Sequence, residues 1–221
     1  MQANYVQCLR GTFGKAGPAR FISHLDLVRT IERALIRAQI PLAYSQGFNP
    51  QPRMHFAAAL PLGFTSDGEI VDLFLSERID PGDTLQNLNK KMAPGIVMHT
   101  LIEQKFSSPK LQTITSQACY VATSTTNKTA REMRRAVDKV LSSKELIRTR
   151  RDREYDLRPL IIELEVEEIQ ADDIQLSILM THLPGISGRP DEVLKELGFD
   201  PLAARIHRRE LILSEPASED H

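Results

Sequence analysis

Hydrophobic positions in this chain switch between helical and strand periods at short intervals. Tyr5 to Phe13 reads as a strand, followed by a Gly-Lys-Ala-Gly-Pro turn. Leu27, Val28, Ile31, Ala34, Leu35 and Ala38 then recur at helical spacing, which predicts a helix running to about Gln39. Ser23 reads as its N-cap, with Asp26 three residues later completing a capping box. The other helix face carries Arg29, Glu32, Arg33 and Arg37, in part a self-paired solvated surface. Pro41 ends the helix. Leu42 to Ser45 reads as a short strand and Met54 to Leu62 as an apolar one. At Glu69 the period falls to two. Val71, Leu73 and Leu75 make an apolar face, Ile70, Asp72 and Phe74 the other, which predicts a half-buried strand. Asp80 or Asp83 opens a second helix to Met92, Pro94-Gly95 breaks it, and Ile96 to Ile102 is a strand.

That order, strand-helix-strand-strand-helix-strand, is the ferredoxin-like arrangement. The second half repeats it. Ala118 to Ser124 is a strand, and Thr129 to Ser142 a helix with Met133, Ala136, Val137 and Val140 facing inward. Glu145 to Arg151, Leu160 to Val166 and Ile174 to Met180 are strands. Pro190 starts a short helix that Gly198 ends, and Ala204 to Leu213 is the last strand. The expected fold is therefore α+β, two ferredoxin-like (βαββαβ) halves packed as a pseudo-duplicate. Residues 1–103 form the first half, 104–116 a polar linker, 117–213 the second half and 214–221 a disordered tail.

The 221 residues are enough for one large domain or two small ones. Apolar residues at 41% and charged residues at 26% are an ordinary globular balance. Aromatics at 5%, with no Trp, predict an aliphatic core. Cys8 and Cys119 are too few for a disulfide framework, lack metal-type spacing and read as buried thiols. No basic segment followed by an apolar run opens the chain, and no apolar stretch reaches the roughly 18 residues of a membrane helix. A cytoplasmic protein without a membrane association is expected.

A net charge of -1 excludes a uniformly basic surface but allows a local one. Between Lys128 and Arg153, ten Lys and Arg face four Asp and Glu. Arg131, Arg134, Arg135, Arg148 and Arg150 within that window are candidate phosphate contacts, or a solvated helix face and a charge-protected edge strand. Arg205, His207, Arg208 and Arg209 would extend the surface if the last strand pairs beside it.

The densest candidate chemistry lies between Arg20 and Arg53. Arg20 and His24 flank a helix start, where unsatisfied N–H groups favour an anion. His24 reads either as a proton shuttle or as a histidine closing the turn. In Gly47-Phe48-Asn49-Pro50-Gln51-Pro52-Arg53, two prolines stiffen the backbone and Gly47 is free to take a positive φ. Phe48 and Asn49 would present a ring and an amide, and Arg53 a fork for phosphate or carboxylate. Arg20, His24, Phe48, Asn49 and Arg53 together form the expected ligand surface. His55 and His99 sit in apolar strands and read as structural; no spacing supports a metal site. No catalytic triad, phosphate loop or iron–sulfur cysteine triplet is present, and no cofactor is expected.

Several of these segments resemble the radical SAM-linked protein family: Arg20-Phe21-Ile22-Ser23-His24-Leu25-Asp26-Leu27, Leu42-Ala43-Tyr44-Ser45, Gly47-Phe48-Asn49-Pro50, Asp156-Leu157-Arg158-Pro159 and Arg189-Pro190-Asp191-Glu192-Val193-Leu194. That bacterial domain occurs alone or fused to the C-terminus of radical SAM proteins, with genes near one for an RNase G-type enzyme. The resemblance implies a working relationship with radical SAM chemistry on RNA. Since the cluster cysteines are missing, that chemistry belongs to a separate protein. The expectation is an accessory or substrate-recognition protein for such an enzyme, with structured RNA (tRNA or rRNA) as substrate. The alternatives are a metal-independent RNA-processing enzyme using His24 and a small-molecule-binding module.

Overall fold

The structure, a computed structural model, describes residues 5–170 and 173–214. The chain divides into two compact units, one up to Ile114 and one from Thr115 to Ser214. Most of the expected tail lies outside the described residues.

The first unit runs β1 (Gln7–Lys15), α1 (His24–Arg37), β2 (Met54–Phe56), β3 (Thr65–Leu75), α2 (Pro81–Asn89), β4 (Ile96–Glu103) and α3 (Leu111–Ile114). Its strands form an antiparallel sheet in the order β4, β1, β3, β2. The α1 start is set locally. The Ser23 hydroxyl accepts from the Asp26 N–H at 3.1 Å and donates to the Asp26 carboxylate at 2.7 Å. The Asp80 carboxylate caps α2 by accepting from the Asp83 N–H. Leu27, Ile31, Ala34 and Leu35 of α1 and Leu88 of α2 share one core with Leu9, Phe13, Phe56, Val71, Leu73, Leu75, Ile96 and Met98. Since strand side chains alternate, this assigns α1 and α2 to one sheet face. Cys8, Arg10, His55, Asp72 and Phe74 project from the other.

Three expectations change in detail. Leu42 to Ser45 makes isolated bridges, Leu42 to Leu75 and Tyr44 to Pro52, rather than a strand. Only Met54–Phe56 of the next apolar run is strand. The β3 strand is not half-buried: Ile70 and Asp72 are buried along with Val71, Leu73 and Leu75.

The second unit contains β5 (Thr115–Thr125), α4 (Ala130–Ser142), β6 (Ile147–Arg150), β7 (Arg153–Asp156), β8 (Ile161–Gln170), β9 (Asp173–Leu183), β10 (Ile186–Ser187), α5 (Pro190–Glu196) and β11 (Arg205–Leu213). Its antiparallel sheet runs β11, β5, β9, β8, with β10 also pairing to β9. Thr129 and Glu132 make a reciprocal capping box at α4, which buries Met133, Val137 and Val140. The β6 and β7 strands pair with each other in a separate hairpin. Its two turn residues, Arg151 and Asp152, have φ of 48° and 62°. Gly198, at φ 85°, follows α5 in the left-handed conformation that ends a helix. The fold is α+β.

Candidate functional site

The face of the first sheet opposite α1 and α2 carries the strongest candidate. Arg10 and Asp72 are cross-strand partners, and Asp72 also stands opposite His55. The Arg10 guanidinium donates twice to the Asp72 carboxylate, at 2.7 and 2.9 Å. That bonding raises the Arg10 pKa against the opposing effect of burial. Cys8 is buried beside the pair. Burial, then the Asp72 charge, pushes its thiol up to about 12, so it is no nucleophile at neutral pH. Burial lowers the His55 pKa, Asp72 opposes that, and Arg53 and Lys110 add to it. Its imidazole is neutral at pH 7.

Above this floor lies a cleft of about 250 Å³, walled on one side by the Gln104 to Lys110 segment. The Arg53 guanidinium stands 5.1 Å from the Tyr5 ring and 5.7 Å from the Phe74 ring. Tyr5 meets Phe74 edge-on at 4.7 Å and Phe106 at 5.4 Å, and His55 meets Phe74 at 4.9 Å. Backbone bonds pin Arg53 in place: its N–H donates to the Ala43 carbonyl at 2.8 Å and its carbonyl accepts from the Phe74 N–H at 3.1 Å. Lys105 and Lys110 line the cleft and are exposed. Three rings, a stacked guanidinium and two ammonium groups thus share one opening. This chemistry suits a planar ring carrying negative charge.

The five residues expected to form one surface do not do so. Arg53 enters the cleft. His24 opens α1 and sets its ring edge-on to Phe56 at 5.5 Å. It lines a different cavity, of about 380 Å³, with Val28, Met54 and Gln112. Phe56 and Met54 pack in the helix-side core, so His24 and Arg53 lie on opposite faces of the sheet. Arg20 sits in a 3-10 turn with its guanidinium 4.6 Å above its neighbour Phe21. Phe48 and Asn49 occupy the exposed loop beyond the Ser45–Gln51 bonds and do not line the cleft, and Phe48 is wholly exposed. Gly47 there has φ 138°, in open space.

The second unit corrects part of the basic cluster. Arg131, Arg134, Arg135 and Arg150 are exposed. Arg148 is half-buried and bridges Glu192 and Glu196 of α5. Arg208, expected on the surface, is fully buried, its guanidinium 6.0 Å from the Tyr120 ring. A β-bulge after Arg208 shifts the alternation, so Ile206, Arg208 and Leu211 face inward. Arg209 donates to Glu167 at 2.7 and 3.0 Å. This strand adds less free charge than its sequence suggests.

Tyr5, His55, Phe74, Phe106, Lys105 and Lys110 were not among the expected contacts. For His55 and Phe74 the signal was present: Arg53 and His55 are two residues apart, as are Asp72 and Phe74, so each pair shares a strand face. Among the described residues no group of three or more His, Cys, Asp or Glu is placed to hold a metal ion. Nor, among them, is any helix long and apolar enough to cross a membrane.

Residues 9–189 match a family described as uncharacterized proteins conserved in bacteria (DUF2344). The chain belongs to that family. No curated protein matches it. Among solved structures, it is similar to a chain of a Cbf5-Nop10-Gar1 complex at 12% identity and TM-score 0.52, over 92% of this chain and 48% of that one. A chain of the archaeal box H/ACA sRNP Nop10-Cbf5 complex matches at 10% identity and TM-score 0.49, over 94% of this chain and 49% of that one. The DUF2344 chain thus spans about half the length of each. At 12% identity the likeness to the Cbf5-Nop10-Gar1 chain concerns the fold alone.

Proposed function

We propose that this chain recognises RNA on behalf of a separate radical SAM enzyme in the bacterial cytoplasm, and that each unit is a ferredoxin-like half. The fold reading is supported by matching strand orders: β4, β1, β3, β2 in one unit and β11, β5, β9, β8 in the other. The β6–β7 hairpin and β10 are then additions to the second. The RNA reading is carried by the cleft, where Arg53 stacks among Tyr5 and Phe74 beside Lys105 and Lys110. RNA offers both partners such a site needs, an aromatic ring and a phosphate. Arg131, Arg134, Arg135 and Arg150 would contact further phosphates without reading sequence. The enzyme partner rests on the sequence resemblance.

Recognition is favoured over catalysis by the placement of His24. A general acid or base there would lack Arg53 to stabilise developing charge, since Arg53 lies across the sheet, and would be left with Arg20, whose guanidinium lies over Phe21. The test has two arms. Binding of tRNA and rRNA fragments is expected at low salt and should weaken steeply as salt is added. Absence of salt-sensitive binding overturns the RNA reading. A tagged pull-down from the native host is expected to recover a radical SAM protein, and recovery of none overturns the accessory role.

A further inference from the structure

We infer that the cleft on the sheet face opposite α1 and α2 takes a single unpaired nucleotide of an RNA strand, its base among the rings and its phosphate at Lys105 and Lys110. The inference rests on the RNA reading above and narrows it from structured RNA in general to an unstacked position.

The size of the opening argues for one nucleotide. It holds about 250 Å³ and is closed on one side by the Gln104 to Lys110 segment. A paired base within a duplex is covered on both ring faces and along its pairing edge, and cannot enter such a space. An unpaired base presents a free ring face and edge to aromatic and guanidinium groups. Tyr5 meets Phe74 and Phe106 edge-on, and all three rings line the opening, where a base can reach them.

The polar groups divide by task. Both Asp72 oxygens accept from Arg10, so this carboxylate is committed to the floor. Its bidentate partner offsets a charge that would otherwise repel phosphate. His55, kept neutral, offers one N–H and one lone pair to a base edge. Arg53, Lys105 and Lys110 supply the positive charge at the rim. Phe106 is 59% exposed, so a bound base would cover a ring that is otherwise in water.

The experiment is fluorescence anisotropy with a labelled single-stranded RNA octamer, the same octamer in a blunt duplex, and free nucleoside monophosphates as competitors. The single strand is expected to bind at least tenfold more tightly than the duplex. Phe106→Ala, at an exposed position, should weaken the single strand about tenfold, the usual size of one lost base stack. Lys105→Gln/Lys110→Gln should weaken it and flatten its salt dependence. Both variants are checked for native circular dichroism. Equal affinity for strand and duplex overturns this inference and leaves the RNA reading standing. A monophosphate that binds as tightly as the octamer shows a free-nucleotide site and overturns the strand assignment. No binding of either RNA overturns the broader reading as well.

Discussion

Arg10 and Asp72 stand opposite one another on β1 and β3, joined by two hydrogen bonds of 2.7 and 2.9 Å. Their side chains are 15% and 6% exposed, so neither charge can be left alone cheaply. Asp72→Ala strands the guanidinium and should cost about 3 kcal/mol. Replacing both, as Arg10→Met/Asp72→Leu, removes the stranded charge and should cost clearly less than the single change. Urea unfolding midpoints of the three proteins decide the matter. A double variant as unstable as Asp72→Ala would show that packing, not charge pairing, holds this position.

Stability should also depend on pH through His55. Burial holds its folded pKa below the usual 6.5, so the unfolded chain takes up a proton more readily. The contribution is fully present above pH 6.5 and is lost as pH falls through the lower folded value. His55→Gln should therefore flatten the decline in unfolding free energy between neutral and mildly acidic pH. An unchanged slope would assign that decline to other groups.

Gly95 is a backbone prediction. It has φ 84° after α2, and a Cβ there would come 2.4 Å from the Ala16 carbonyl oxygen. The same junction carries the bond from the Ala16 N–H to the Gly95 carbonyl at 2.7 Å. Gly95→Ala combines left-handed strain with a backbone clash and should destabilise by about 2 kcal/mol or more. Gly47→Ala keeps the strain without the clash and should cost less. Thermal melts of the two variants test the difference.

Local features were readable in sequence because their causes lie within a few residues. Ser23 and Asp26 sit three apart and cap α1. Thr129 marked the start of α4, which in the structure it caps together with Glu132. Val71, Leu73 and Leu75 alternate and face the core. The candidate site was only partly readable, because tertiary pairing assembles it. Arg53 stood out by its rigid loop, but Tyr5, Phe74 and Phe106 come to the same cleft from three distant parts of the chain. The polar run read as a linker walls the cleft and contains Leu111, which is fully buried. His24 and Arg53 looked like one surface because sequence proximity does not say which sheet face a residue takes.

Arg131, Arg134, Arg135 and Arg208 separate surface charge from structural charge. The first three are exposed on α4, on the side away from Met133, Val137 and Val140, while Arg208 is fully buried. If α4 meets phosphates, Arg131→Gln/Arg134→Gln/Arg135→Gln should lower the slope of log affinity against log salt by about 2, with little change in stability. Arg208→Met should act the other way. It removes a buried guanidinium near Tyr120, so the melting temperature should shift while the salt slope of the folded protein stays the same. RNA titrations at four salt concentrations, run beside thermal melts, measure both quantities on the same samples. An unchanged slope in the triple variant would remove α4 from the RNA contacts and leave the first-unit cleft as the place where binding is tested.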